Sequence, residues 1–257
     1  MIEFDHVTRS YSAKVAVDDL SLSVPPGEIF ALLGANGAGK TTTIRLLTGL
    51  LRPDSGTIRV CGHDLAGDLR QALRCLGYVP DEPFLYDKLS GREFLEFTAQ
   101  MRGLNRSGVE ACIARETQSF ELADYLDDLI ETYSHGMKQR LIFASALLHR
   151  PPVVIIDEPM VGLDPRSMRM VKDLLREQSA SGMIIFMSTH ILAVAEEIAD
   201  RIGILDRGRL QFLGSIAQLR KELASPQTSL ESLFLRLTGG SNGMPAPAAA
   251  SRPEPTE

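Results

Sequence analysis

Residues 28–41 constrain the fold of this chain more than any other stretch. Glu28 to Leu33 (EIFALL) is a short apolar run that reads as a buried strand. It opens into Gly34-Ala-Asn-Gly-Ala-Gly39-Lys40-Thr41, which fits the spacing G-x-x-x-x-G-K-[ST]. A helical stretch follows from Thr41 to Thr48, with Gly49 placed to end it and Pro53 just beyond. The glycines let backbone N–H groups turn inward around phosphate oxygens, and a helix N-terminus adds a favourable dipole. Gly34, Asn36, Gly37 and Gly39 would form this cradle. Lys40 would reach the β- and γ-phosphates of a nucleotide, Thr41 would ligate Mg²⁺ through its hydroxyl, and Thr42 is placed for a further phosphate contact.

Strand-like and helix-like stretches alternate after residue 28, the pattern of a parallel sheet flanked by helices. Leu76 to Val79, Val153 to Ile156 and Met183 to Ser188 are apolar runs too short for buried helices, so they join the first strand in a central sheet. Ile2 to Val7 and Val15 to Val24 are polar-interspersed and predict a small antiparallel sheet that Gly56 to Val60 joins. Arg201 to Asp206 and Arg209 to Leu213 flank Arg207-Gly208 as a hairpin. Capping boxes at Ser90/Glu93 and Ser107/Glu110 predict helices, a third helix runs from about Gly136 to Leu148, and Asp164-Pro165 starts one that reaches about Ala180. No central strand interrupts residues 88 to 150, which read as an all-helical insertion. From Gly239 onward the Pro/Ala/Gly/Ser-rich sequence has no apolar periodicity and predicts a disordered tail over 239–257.

Val153-Val-Ile-Ile-Asp157-Glu158-Pro159 is an apolar strand ending in two adjacent carboxylates. Ligands of open α/β sheets bind at the carboxyl ends of strands, where this pair would sit. Alternation along a strand sends the two acids different ways, so they suit different tasks. Asp157 suits Mg²⁺, and Glu158 suits an attacking water as general base or orienting group. The alternative for the pair read alone is two helix-capping acids beside Pro159.

Tyr133-Ser-His-Gly-Met-Lys-Gln-Arg140, upstream of that strand, resembles the signature of ABC ATPases, whose commonest form is Leu-Ser-Gly-Gly-Gln. Ser134 and Gly136 are kept, while His135 replaces the first glycine and Met137 the glutamine. A serine and backbone N–H groups at a helix start make an anion site, although Ser134 is also a plain helix cap. The resemblance implies that Ser134, Gly136 and Met137 meet the γ-phosphate held by an opposite subunit. It further matches Tyr11 to the aromatic residue that stacks on adenine, with a surface aromatic of the small sheet as the alternative. Gly162-Leu163-Asp164 resembles the loop that crosses the dimer interface, and His190 matches the switch histidine at the γ-phosphate. The chain departs from the pattern after Gly77-Tyr78-Val79-Pro80: Asp81-Glu82 stands where the family has a glutamine that touches Mg²⁺, and a carboxylate at Asp81 remains an oxygen ligand for the metal.

The resemblance covers residues 2–237 and implies an α/β, RecA-like P-loop NTPase core with a small antiparallel β subdomain and an α-helical subdomain. It implies an ATPase that uses ATP and Mg²⁺. The partners would be a transmembrane permease and a second ATPase subunit, in a homodimer or a heterodimer. The form of the signature and Ser229-Leu-Glu-Ser-Leu-Phe-Leu-Arg-Leu-Thr-Gly239 point to the antibiotic-efflux and export type. Glu82 to Glu96 corresponds to the segment that receives the permease. The alternative is a non-transport ABC ATPase acting on a soluble macromolecule, although such proteins usually carry long coiled coils or two ATPase units.

Composition agrees with these expectations. Net charge is −6 with no Lys/Arg run, so no nucleic-acid partner is expected. Cys61, Cys75 and Cys112 have neither CxxC spacing nor an even count, which suits thiols in a reducing compartment. The start of the chain is polar and acidic, unlike a signal peptide, and no apolar run approaches the ~20 residues that span a bilayer. The expected location is cytoplasmic, peripheral on the cytoplasmic face of the membrane.

Overall fold

A computed structural model describes residues 1–82, 84–158, 164–222 and 230–238, apart from the side chains of Arg106, Ser107 and Arg236. The 5-residue strand β3 (Ile29–Leu33), which leads into the glycine loop, is buried along its whole length. Its odd residues Ile29, Ala31 and Leu33 face one apolar cluster, and its even residues Phe30 and Leu32 face another. A strand covered on both faces must be apolar throughout, which is why this run shows no polar alternation.

Around β3 the central sheet is built from β6 (Leu76–Val79), β7 (Val153–Asp157), β8 (Ile184–Thr189), β9 (Arg201–Asp206) and β10 (Arg209–Gly214), in the order β10-β9-β3-β8-β7-β6. All pairings are parallel except the terminal β9–β10 hairpin. The three buried runs and the hairpin foreseen in the sequence are therefore all present, with ends that agree to within one residue. The fold is α/β with a RecA-like core.

The second sheet is antiparallel, ordered β2-β1-β4-β5, from β1 (Ile2–Tyr11), β2 (Lys14–Val24), β4 (Ser55–Val60) and β5 (His63–Asp64). Its inner residues Ile2, Phe4, Val17, Leu20 and Leu22 pack with Phe30, Ile44 and Phe186, and the Phe30–Phe186 rings lie 5.3 Å apart. Each such side chain contributes about 1.5–3 kcal/mol when fully buried, so this cluster fixes the small sheet against the glycine-loop side of the core.

Helix α1 (Lys40–Leu47) starts at the glycine loop and ends at Gly49, whose φ of 71° takes the left-handed conformation that terminates helices. Between β6 and β7 the elements among the described residues are helical, α3 (Gly91–Met101), α4 (Arg106–Ser119), a 3₁₀ turn at Ile130–Thr132 and α5 (His135–Leu147), with one isolated bridge between Ser90 and Leu129. The capping box at Ser90 and Glu93 is formed in full. The expected box at Ser107 and Glu110 is not how α4 begins. Its first helical residue is Arg106 and Asn105 takes the cap position, so Ser107 already lies inside the helix.

Asp164 caps α6 (Pro165–Ala180), its carboxylate accepting from the N–H groups of Arg166 and Ser167. Four short helices went unforeseen: α2 (Leu69–Arg74), α7 (Leu192–Ile198), α8 (Ile216–Glu222) and α9 (Leu230–Thr238). The tail expectation for 239–257 and the loop residues Gly162 and Leu163 lie outside the described residues.

Candidate functional site

The glycine loop, the end of β7 and the segment after β6 converge on an open cleft of about 330 Å³. Its lining includes Tyr11, Asn36, Gly37, Gly39, Lys40, Thr41, Thr42, Asp81, Asp157 and Glu158, together with Lys14, Ala16 and Ala35. Ten of the residues singled out in the sequence thus share one cavity.

Gly39 shows why the loop needs glycine. Its φ is +114°, and a Cβ there would sit 2.3 Å from the carbonyl oxygen of Ala16. Behind it the Lys40 side chain is buried, and Nζ donates to the carbonyls of Gly34 (2.7 Å) and Ala35 (3.3 Å). Burial pulls the Lys40 ammonium below its usual range, while the charges of Glu158 and Asp157 oppose that shift. A buried cation held by neutral carbonyls at the start of a helix favours an anion in front of it.

Asp157 ends β7 almost wholly buried, and the Ser188 hydroxyl donates to its carboxylate. This contact follows from the parallel register, which pairs Asp157 with Ser188 on β8. The sequence offered no signal for it beyond the serine's place at a strand end. Burial pushes the Asp157 carboxyl up, the Ser188 bond lowers it, and the charges of Asp81 and Glu158 raise it further.

Glu158 leaves the strand with φ of 52°, while its N–H still donates to the Ser188 carbonyl at 3.1 Å. A left-handed φ at a non-glycine residue costs on the order of 1 kcal/mol. The two acids therefore diverge through a reversal of the backbone as well as through strand alternation. The Glu158 side chain, 12% exposed, lies 2.9 Å from His190 Nδ1 and accepts the His190 backbone N–H at 3.3 Å. His190 is not among the residues that line the cleft; it touches Glu158, which does. Asp81, exposed at the rim, has its carboxyl raised by burial first and then by Glu158 and Glu82, with His190 opposing.

At the edge of the cleft Tyr11 is half-exposed, with the Arg9 guanidinium 5.3 Å from its ring centroid. That position keeps both sequence readings of Tyr11 compatible with the geometry, a platform for a flat ring and a residue packed on the small sheet.

The donors available to a divalent cation are the Thr41 hydroxyl and the carboxylates of Asp157 and Asp81, all hard oxygens of the kind Mg²⁺ takes. Among the described residues no group of three or more His, Cys, Asp or Glu is placed to hold a metal unaided. A cation here would complete its shell with phosphate oxygens and water, as Mg²⁺ does at nucleotide sites.

The signature residues stand apart. Ser134 caps α5, its Oγ accepting from the Met137 N–H at 3.3 Å, while the Ser134 N–H points to the Met137 sulfur at 3.4 Å. None of Ser134, Gly136 and Met137 lines the cleft. A Cβ built on Gly136 would find its nearest neighbour, an Asp164 carboxylate oxygen, at 3.9 Å, so nothing within the described residues crowds that position. The start of α5 is tied instead to α6, where Arg140 donates to the Ser167 hydroxyl at 2.8 Å.

Fold and cleft together define a P-loop ATPase with an open α/β core. The family model described as ABC transporter matches residues 17–161. The chain is 36% identical over 223 residues to the linearmycin resistance ATP-binding protein LnrL of Bacillus subtilis, covering 87% of this chain and 72% of that protein. It is 37% identical over 224 residues to the daunorubicin/doxorubicin resistance ATP-binding protein DrrA of Streptomyces peucetius, covering 87% and 68%. A solved structure described as an ATP-binding subunit of an ABC transporter superposes with a TM-score of 0.87 at 35% identity, covering 92% of this chain and 99% of that one. The chain belongs to the ABC transporter family and is an ATP-binding, ATP-hydrolysing subunit. Among the described residues no helix is long and apolar enough to cross a membrane.

Proposed function

We propose that this subunit powers an export-type transporter by closing, with ATP, against a second ATPase subunit. One observation carries the reading: the glycine loop lines an open cleft, and the helix start capped by Ser134 lies elsewhere with Gly136 uncrowded. Each is half of a site, and a second subunit facing the first would complete both. Residues 2–237 would act as one ATPase unit, with the helical portion at about 88–150 carrying the signature.

In this mechanism Gly34, Asn36, Gly37, Gly39, Lys40 and Thr42 bind the phosphates, and Tyr11 supports the base. Thr41 and Asp157, with Asp81, would hold Mg²⁺, which when bound supplies positive charge to the phosphate oxygens. Glu158 orients and deprotonates the attacking water, with His190 holding the carboxylate in place. Ser134, Gly136 and Met137 contribute donors across the interface. Loss of the γ-phosphate removes the bridge, and the difference in binding energy between closed and open states moves a coupled partner.

The partner proposed is a transmembrane permease, with the subunit peripheral on the cytoplasmic face of the membrane. The exposed aromatic trio Phe84, Tyr86 and Phe97, with edge-on contacts of 5.6 Å, suits an apolar docking element. The drug-resistance relatives support export. Affinity capture from detergent-solubilised native membranes tests the coupling. A multi-span membrane protein recovered with the wild type and lost with Phe84→Ser/Tyr86→Ser supports it; only soluble partners, equally with both, would discard the transporter role.

A further inference from the structure

Asp81 sets this cleft's charge. Two ammonium groups, Lys14 and Lys40, line the cavity against three carboxylates, Asp81, Asp157 and Glu158. The other two acids are engaged, Asp157 by Ser188 and Glu158 by His190. Asp81 makes no ion pair or side-chain hydrogen bond among the described residues and sits exposed at the rim. Beyond its through-space coupling to Glu158, Glu82 and His190, its charge faces whatever enters the cleft.

We propose that Asp81 makes this site select metal-complexed ATP over metal-free ATP. Uncomplexed ATP brings about four negative charges to a cleft whose lining carboxylates already outnumber its lysines. Complexation halves that charge and presents a cation to the carboxylate. A neutral residue at 81 would leave two carboxylates against two lysines and remove the extra repulsion. One unit charge acting across a solvated cleft changes relative binding on the order of tenfold, and salt shrinks the effect. The inference rests on the reading of the cleft as an Mg-ATP site.

Calorimetric titration of the full chain separates the two claims. ATP is titrated with EDTA and, separately, with excess MgCl₂ into wild type, Asp81→Gln, Asp81→Asn and Asp81→Glu. The rim position, without side-chain hydrogen bonds to lose among the described residues, lets these variants fold. The ratio of the two dissociation constants is expected to fall about tenfold in Asp81→Gln and Asp81→Asn, mainly through tighter metal-free binding. Asp81→Glu should keep the wild-type ratio, and higher ionic strength should narrow the difference. Wild type that binds, with a ratio unchanged in Asp81→Gln or with both constants moving by one factor, overturns the role of Asp81 alone. Wild type that binds neither form overturns the reading of the cleft and this inference with it.

Discussion

Glu158 and Gly39 show how much of the site depends on single backbone angles. At Glu158 the left-handed φ aims the carboxylate at His190, which holds it through both a ring nitrogen and a backbone N–H. His190→Ala removes the ring contact and leaves the backbone one. We expect it to lower the ATPase rate about 10²-fold while nucleotide affinity changes only a few-fold, as read by steady-state turnover against nucleotide titration. A parallel fall in affinity would mean that His190 supports the phosphate cradle instead. At Gly39 a methyl group meets both an unfavourable φ and the Ala16 carbonyl. Gly39→Ala should abolish nucleotide binding and destabilise the chain by roughly 2–4 kcal/mol in urea unfolding. The glycine spacing was legible in the sequence because it encodes this geometry directly. The Ser188–Asp157 contact was not, since it exists only once two distant strands pair in register.

Among the elements, legibility followed length and burial. The buried strands β3, β6, β7 and β8 could be read from apolar runs because both of their faces are covered. Helices α2 and α7, of 6 and 7 residues, are too short for a periodic pattern to separate them from loops. At α4, Asn105 and Ser107 are both cap-forming residue types two positions apart, and local sequence does not rank them. The start of α5 was legible as a cap, but the part played by Met137 was not. Its thioether stands where a capping box has a Glu or Gln side chain, and sulfur is a weak acceptor. Met137→Gln should therefore raise thermal stability slightly, by about 0.5 kcal/mol, whereas Ser134→Ala should lower it by about 1 kcal/mol. Equal melting temperatures for both variants would contradict the cap geometry.

For the whole molecule, the attachment of the helical layer to the sheet edge brings its own pH dependence. His149, just after α5, has Nε2 3.2 Å from the Leu76 carbonyl of β6, while its Nδ1 is buried with no hydrogen-bond partner among the described residues. Burial above all, with Arg102 nearby, lowers its pKa to about 4. The unfolded chain takes up the proton near the ordinary histidine pKa of about 6.5, so stability is full above that value and falls as pH drops toward about 4. The loss should amount to roughly 2 kcal/mol and should flatten in His149→Gln, as read by denaturant unfolding between pH 7 and 4. The proposed mechanism joins two half-sites that close on ATP. Its most direct test is light scattering of Glu158→Gln and wild type with Mg-ATP, alongside their turnover. For the variant, turnover lowered about 10²–10⁴-fold and a stable ATP-bound dimer are expected, with wild type dimerising only transiently. A variant that hydrolyses ATP at the wild-type rate, or stays monomeric with ATP, would contradict it.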